Sequence, residues 1–183
     1  MEIIKSKLSG AAEIKCEPFI DHRGWFTRFF CQEEMFELNQ GKSIVQINSS
    51  FTKKMGTIRG LHFQNYPYCE DKVVRCLSGK IFDVMLDLRE ESSTFGKWQS
   101  VILDSEKMNM VYIPKGFAHG FQTLTSNCQI LYLHTEPRSQ ISEDGYHFNS
   151  PYLNIDWPLE LTDISNRDKR LQKFTKYSKK IKL

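Results

Sequence analysis

The stretch Asp71–Arg89, DKVVRCLSGKIFDVMLDLR, decides how the chain is read. It divides at Ser78-Gly79 into two strand-like segments with a turn signal between them. In the second segment Phe82, Val84, Leu86 and Leu88 fall on one face, and Ile81, Asp83, Met85 and Asp87 on the other, because successive strand side chains alternate. SIVQINSSF before it, and WQSVILD, MNMVYIP, GFQTLT and CQILYLHTE after it, continue the series. Many short strands separated by turns predict an all-β sandwich or barrel. A jelly roll suits the run and often encloses a pocket between its sheets. Helical signals are scarce. CQEEMFELNQG (Cys31–Gly41) is one candidate, with Gly41 as a stop. SNRDKRLQKF is a second, with Ser165 as N-cap.

A length of 183 residues predicts one domain, with an arm or tail. Hydrophobic residues at 40% and charged residues at 26% are ordinary for a globular chain, and 13% aromatics suit pleated sheets. A net charge of +3 is too small to argue for nucleic acid, and the basic end KYSKKIKL reads as a solvated terminus. The five cysteines are odd in number and include no C-x-x-C, so neither a disulfide framework nor a zinc ribbon is expected. Free thiols fit a reducing cytoplasm. The N-terminus lacks the apolar core of a signal peptide, and no apolar run approaches the roughly 18 residues of a membrane span. The expectation is a soluble cytoplasmic protein with neither nucleic-acid nor membrane partner.

Polar residues on otherwise apolar strands are the candidates for a pocket: Gln46, Asn48, Arg59, His62, Gln64, Lys72, Arg75, Asp83, His119 and Tyr132. Singly, each is more often a satisfied polar position; their weight comes from falling on consecutive strands. Arg and Lys beside His, with few acids, favour an anionic ligand. In MGTIRGLHFQN (Met55–Asn65) Arg59 and His62 are three residues apart, so strict alternation would set them on opposite faces. Gly60 between them predicts a bulge that turns both towards one cavity.

YIPKGFAHGF (Tyr112–Phe121) resembles the second motif of the cupins. Metal-binding cupins supply an H-x-H pair and a carboxylate from their first motif. Here that place reads His62-Phe63-Gln64, with no Glu before Glu70. A divalent metal wants three or more N/O ligands, so no metal is expected. The chain has no G-x-S-x-G, no P-loop and no G-x-G-x-x-G, which argues against a serine hydrolase, an NTPase and a dinucleotide-dependent dehydrogenase.

DHRGWF, QINSSF, TIRGLHFQ, KVVRCLSGKIFDVMLDLR, SSTFGKW, YIPKGFAHGF and IDWP follow one another in order. Together they closely resemble the dTDP-4-dehydrorhamnose 3,5-epimerases, from about Phe19 to Arg170. The resemblance implies a cupin-type β jelly roll, a homodimer with a shared active site, and no cofactor. The expected organisation is one domain over 1–183, with an arm of about 1–30 serving the dimer and short helices over about 160–183. The implied catalytic set is His62 as base, Asp168 as its orienting carboxylate and Tyr132 as acid. The implied substrate contacts are Arg23, Gln46, Asn48, Arg59, Lys72, His119, Glu143 and Arg167, with Arg23 coming from the neighbouring subunit. The implied substrate is a nucleotide-diphosphate 4-keto-6-deoxyhexose, dTDP-linked by default.

Such a reaction suits these residue types. A 4-keto sugar has acidified C–H bonds beside the ketone. A histidine, with an unperturbed pKa of roughly 6.5, can take one of those protons. An Asp on the far ring nitrogen fixes the tautomer. A Tyr returns a proton to the opposite face, and Lys72 is the candidate donor to the enolate oxygen. Guanidinium forks at Arg23 and Arg59 match phosphate oxygens. Two positions depart from the family's pattern. Arg28 stands where a substrate-touching Glu is usual, and Pro137-Arg138 stand where an aromatic pair is usual. They leave open a CDP- or other nucleotide-linked substrate and a single-centre epimerase. A sugar-nucleotide 3,4-ketoisomerase, a binding module and a metal cupin are the other readings.

Overall fold

The computed structural model describes residues 1–183. Fourteen strands follow in chain order. The first four are β1 (Glu2–Lys5), β2 (Ala12–Lys15), β3 (Phe19–Asp21) and β4 (Gly24–Phe26). Next come β5 (Gln46–Thr52), β6 (Thr57–Gln64), β7 (Lys72–Ser78), β8 (Lys80–Asp87) and β9 (Trp98–Asp104). The last five are β10 (Met110–Ile113), β11 (Phe117–Thr123), β12 (Cys128–His134), β13 (Glu143–Gly145) and β14 (Asp163–Ile164). One six-stranded sheet has the order β1-β2-β10-β7-β12-β5. The other holds β13-β6-β11-β8-β9, with the short β14 added in parallel beside β6. The opening stretch thus supplies one strand to each sheet, and the turn at Gly79 carries the chain across the sandwich. This is the jelly-roll arrangement that the strand series predicts.

The alternation read in β8 holds. Ile81 and Met85 enter the apolar cluster between the sheets, with Val74, Cys76, Phe121 and Ile130. Phe82, Val84, Leu86 and Leu88 face outwards, under a cover made by Tyr146, Leu153, Phe174 and Ile181. Trp157 meets Phe82 edge-on within this cover, at 5.8 Å between ring centroids. Between the sheets the apolar filling stops partway along β12. Cys128 and Ile130 are core residues, whereas Tyr132 and His134 border an open cavity.

The helical expectations shrink. Only Phe36–Asn39 of the first candidate forms an α-helix (α1), because Gln40 already adopts a left-handed φ of 53° before Gly41 at 75°. The short helices expected over about 160–183 reduce to one 3-10 turn at Asp168–Arg170. The rest of this tail is drawn out along the body instead, bridging Gln172 to Tyr146 and Ile181 to Arg89. The N-cap of the 3-10 turn is Arg167 rather than Ser165, although Ser165 Oγ still accepts from Asp168 N at 3.0 Å.

The bulge expected at Gly60 is present. His62 pairs with His119 and Arg59 with Phe121, so three steps on β6 match two on β11. Gly60 has φ of 118°, and a Cβ there would lie 2.5 Å from Gly120 Cα. An extra residue in one strand shifts the face on which the following side chains fall. Gly60→Ala is therefore expected to lose roughly 2–4 kcal/mol in chemical unfolding. A loss within about 0.5 kcal/mol would show that the close approach is not required.

Candidate functional site

A cavity of about 570 Å³ opens between the sheets. Its lining includes Gln46, Asn48, Arg59, His62, Lys72, His119, Tyr132, Glu143, Arg167 and Asp168. The catalytic set and all expected contacts but one are therefore brought together. The exception is Arg23, whose side chain is 78% exposed on the β3–β4 ribbon and is paired with Asp21 at 2.6 Å. Arg75 falls away from the cavity as well. It lies three residues beyond Lys72 on a regular strand and so takes the opposite face, over the Phe29 ring and donating to Met108 O at 2.6 Å.

His62 and Asp168 form the tightest feature. His62 Nε2 donates to Asp168 Oδ1 at 2.7 Å, while Asp168 Oδ2 accepts the Gly60 amide at 3.2 Å. With Nε2 committed, Nδ1 is the free lone pair on a side chain that stays one-third exposed. Burial alone would raise the Asp168 pKa, but the His62 hydrogen bond and charge, the Gly60 amide and Ser165 together hold it below 3.8. The carboxylate is thus ionised wherever the imidazole can act as a base.

Tyr132 projects from the facing sheet. Burial pushes its phenol up to about 12 against the opposing hydrogen bond with Ser50, whose Oγ is 2.9 Å from the hydroxyl. A phenol of that strength keeps its proton at neutral pH and yields it only to a strong base such as a carbanion or enolate. His119 donates from Nε2 to the fully buried Asp83 at 2.7 Å and meets the Tyr132 ring edge-on. Lys72 Nζ pairs with Glu70 at 2.7 Å in a mostly buried position.

The cavity holds more acids than expected. Glu70, Glu143, Asp163 and Asp168 all line it. Glu143 accepts a two-pronged bond from Arg138, at 2.6 and 3.0 Å, and a third contact from Arg167 at 3.1 Å. Arg138, Arg167 and His62 pull the Glu143 pKa down, the Arg138 bond most of all, against burial. Of the lining arginines and lysines, only Arg59 lacks a carboxylate: Nε goes to Thr52 Oγ1 at 3.0 Å and Nη2 to Phe51 O at 3.2 Å. It is the cation most available to an incoming anion. Arg28 is exposed, pairs with Glu34 and does not line the cavity, whereas Arg138 does.

Four further residues line the cavity: Glu70, His134 and Ser50, which were not picked out as site residues, and Arg138, which was named only as a departure from the family's pattern. Alternation could have found three of them, since Glu70, His134 and Ser50 stand two residues from Lys72, Tyr132 and Asn48. Gln64, at the position of a cupin's second His, is engaged by the protein. Its Nε2 donates to Glu70 at 2.9 Å and its Oε1 accepts from Ser139 N at 2.5 Å.

Residues 5–176 match the family model described as dTDP-4-dehydrorhamnose 3,5-epimerase. The chain belongs to this family. It is 38% identical over 176 residues to the dTDP-4-dehydrorhamnose 3,5-epimerase of Shigella flexneri, covering 95% of this chain and 96% of that one. The fold matches the crystal structure of the Bacillus anthracis dTDP-4-dehydrorhamnose 3,5-epimerase with TDP and PPi bound. That match has a TM-score of 0.91 at 35% identity, over 94% of this chain and 99% of that one. It also matches the Legionella pneumophila epimerase in complex with dTDP-4-keto-L-rhamnose. There the TM-score is 0.89 at 36% identity, over 94% and 92% of the two chains.

The depressed pKa of Asp168 has a stability consequence with a definite sign. Its contribution is complete above the unfolded value, near 3.8, and is lost as pH falls through the lower folded value. Asp168→Asn is expected to melt below the wild type at neutral pH, with the gap closing as pH drops below about 4. A gap independent of pH would contradict the ionised pairing.

Proposed function

We propose that the protein is an epimerase acting on a nucleotide-diphosphate 4-keto-6-deoxyhexose, by default dTDP-4-dehydro-6-deoxyglucose, to give dTDP-4-dehydrorhamnose. The observation that carries the reading is a base and an acid set on opposite walls of one cavity. His62 stands on β6 with its carboxylate behind it, and Tyr132 stands on β12 with its proton retained.

The steps follow from those positions. The hexose lies between the sheets, its ketone directed to Lys72 and its diphosphate to Arg59. His62 Nδ1 takes the proton from a carbon beside the ketone. The C–H electron pair becomes the C=C bond and the carbonyl oxygen gains the negative charge, opposite the Lys72 ammonium. Tyr132 then gives its proton to the same carbon from the other face, and the ketone re-forms with the centre inverted. Asp168 stabilises the transient imidazolium and holds its orientation. No bond in the scheme needs an organic cofactor or a metal.

The product of the reaction in heavy water tests this. Solvent deuterium is expected at C3, C5 or both of dTDP-4-dehydro-6-deoxyglucose, with inversion at each labelled centre. His62→Ala is expected to lose about 10²–10⁴-fold in turnover. No label at either carbon would sink the proposal, and movement of the carbonyl itself would mark a ketoisomerase.

The proposal includes a homodimer whose partner completes each cavity. The β3–β4 ribbon bonds to neither large sheet and exposes Phe19 and Phe26, with Ile20 and Trp25 beside them. An apolar surface of this kind at a ribbon carrying Arg23 favours insertion into a second copy of the chain. A cytoplasmic location is supported by five cysteines that are all free thiols; no helix is long and apolar enough to cross a membrane. Ile20→Asp with Phe26→Asp is expected to convert a dimer to a monomer in light scattering and to raise KM. A variant that stays dimeric with unchanged KM would contradict the shared site.

A further inference from the structure

His134 stands two residues beyond Tyr132 on β12 and lines the same cavity. The two rings are stacked, 25° apart in plane with centroids separated by 6.2 Å. The phenol ring also meets the His119 ring edge-on, at 71° and 6.3 Å. Offset-stacked and edge-to-face pairs at such separations are the favoured aromatic geometries. The Tyr132 ring therefore packs against two imidazoles, while Ser50 engages only its hydroxyl.

His119 is itself fixed by the buried Asp83. His134 is fixed from β5. Tyr132 lies opposite Asn48 in the β5–β12 register, His134 lies opposite Gln46, and Asn48 Nδ2 donates to His134 Nε2 at 3.3 Å. Across β7 its register partner is Lys72. Burial and then the Lys72 charge push the imidazole pKa down to about 4, with Glu70 opposing and His119 adding to the fall. The ring is neutral, so it can stack on the phenol and accept from Asn48 at once. Phenylalanine could do only the first, and glutamine only the second.

We propose that His134 is a positioning residue for proton return, holding the Tyr132 ring at the angle from which its hydroxyl meets the enolate carbon. The inference rests on the reading of Tyr132 as the acid. When the phenol is misaligned, the enolate waits. The exposed His62 imidazolium then exchanges its proton with solvent and returns a deuteron to the face it came from. The C=C pair forms a C–D bond to that deuteron and the carbonyl is restored without inversion. Loss of positioning thus has its own signature, which is deuterium incorporated with retention.

The experiment follows the reaction in heavy water by NMR and compares label found with retention against label found with inversion. His134→Ala is expected to lower kcat about two- to tenfold, leave KM little changed and raise the retained-face share. His134→Phe restores the stack and is expected to bring that share back towards the wild type. His134→Gln keeps the Asn48 acceptor without a stacking ring and is expected to behave like His134→Ala. An unchanged share in His134→Ala, or equal shares in the Phe and Gln variants, overturns the inference. If the Ala variant is too unstable to assay, the Phe and Gln pair decides alone. Tyr132→Phe separates the two levels: wild-type stereochemistry there overturns the acid assignment itself. Retention-only label there, alongside a wild-type pattern in His134→Ala, overturns the role of His134 alone.

Discussion

Asp168 makes two hydrogen bonds with one buried carboxylate, and the site is organised around them. One oxygen holds the His62 imidazole and the other holds the Gly60 amide, at the bulge that brings Arg59 and His62 to the same cavity. At the start of the 3-10 turn, Ser165 Oγ accepts from the Asp168 amide and helps hold the carboxylate in this place. A buried charge is tolerated when it is paired and hydrogen-bonded, and these partners satisfy that need. The same bonds that make the C-terminal segment pack leave His62 with one nitrogen orienting and one free.

Electrostatics divides the cavity. Around Glu143, two guanidiniums share one carboxylate; at Lys72, the ammonium is balanced by Glu70. Arg59 alone keeps a guanidinium without an acid. A site that neutralises most of its cations still presents a directed one, and placing a diphosphate there leaves the middle of the cavity to the hexose. The lining also carries Tyr132 and His134, both uncharged at neutral pH. Proton return therefore occurs among groups whose own charge does not change with small shifts in pH.

Much of this was legible in the residues. Alternation in β8 separated the inner from the outer face correctly, and Gly60 between Arg59 and His62 announced the bulge. Arg75 was misread because three steps along an unbulged strand reverse the face, a rule the sequence could have supplied. Glu70, Ser50 and His134 were missed although they share a face with neighbours that were found. The His62–Asp168 bond could not be derived from local pattern. The two residues are 106 apart, and their meeting depends on a tail that runs along the body rather than forming helices. The composition also gave no sign that the cavity's cations would be so largely paired.

The most direct test is a crystal structure of the protein with a dTDP-hexose that lacks the 4-keto group and cannot react. The account predicts the pyranose ring between the sheets, His62 Nδ1 against one face and the Tyr132 hydroxyl against the other, with the diphosphate at Arg59. A pyranose with both groups on one face, or one bound outside the cavity, would contradict it.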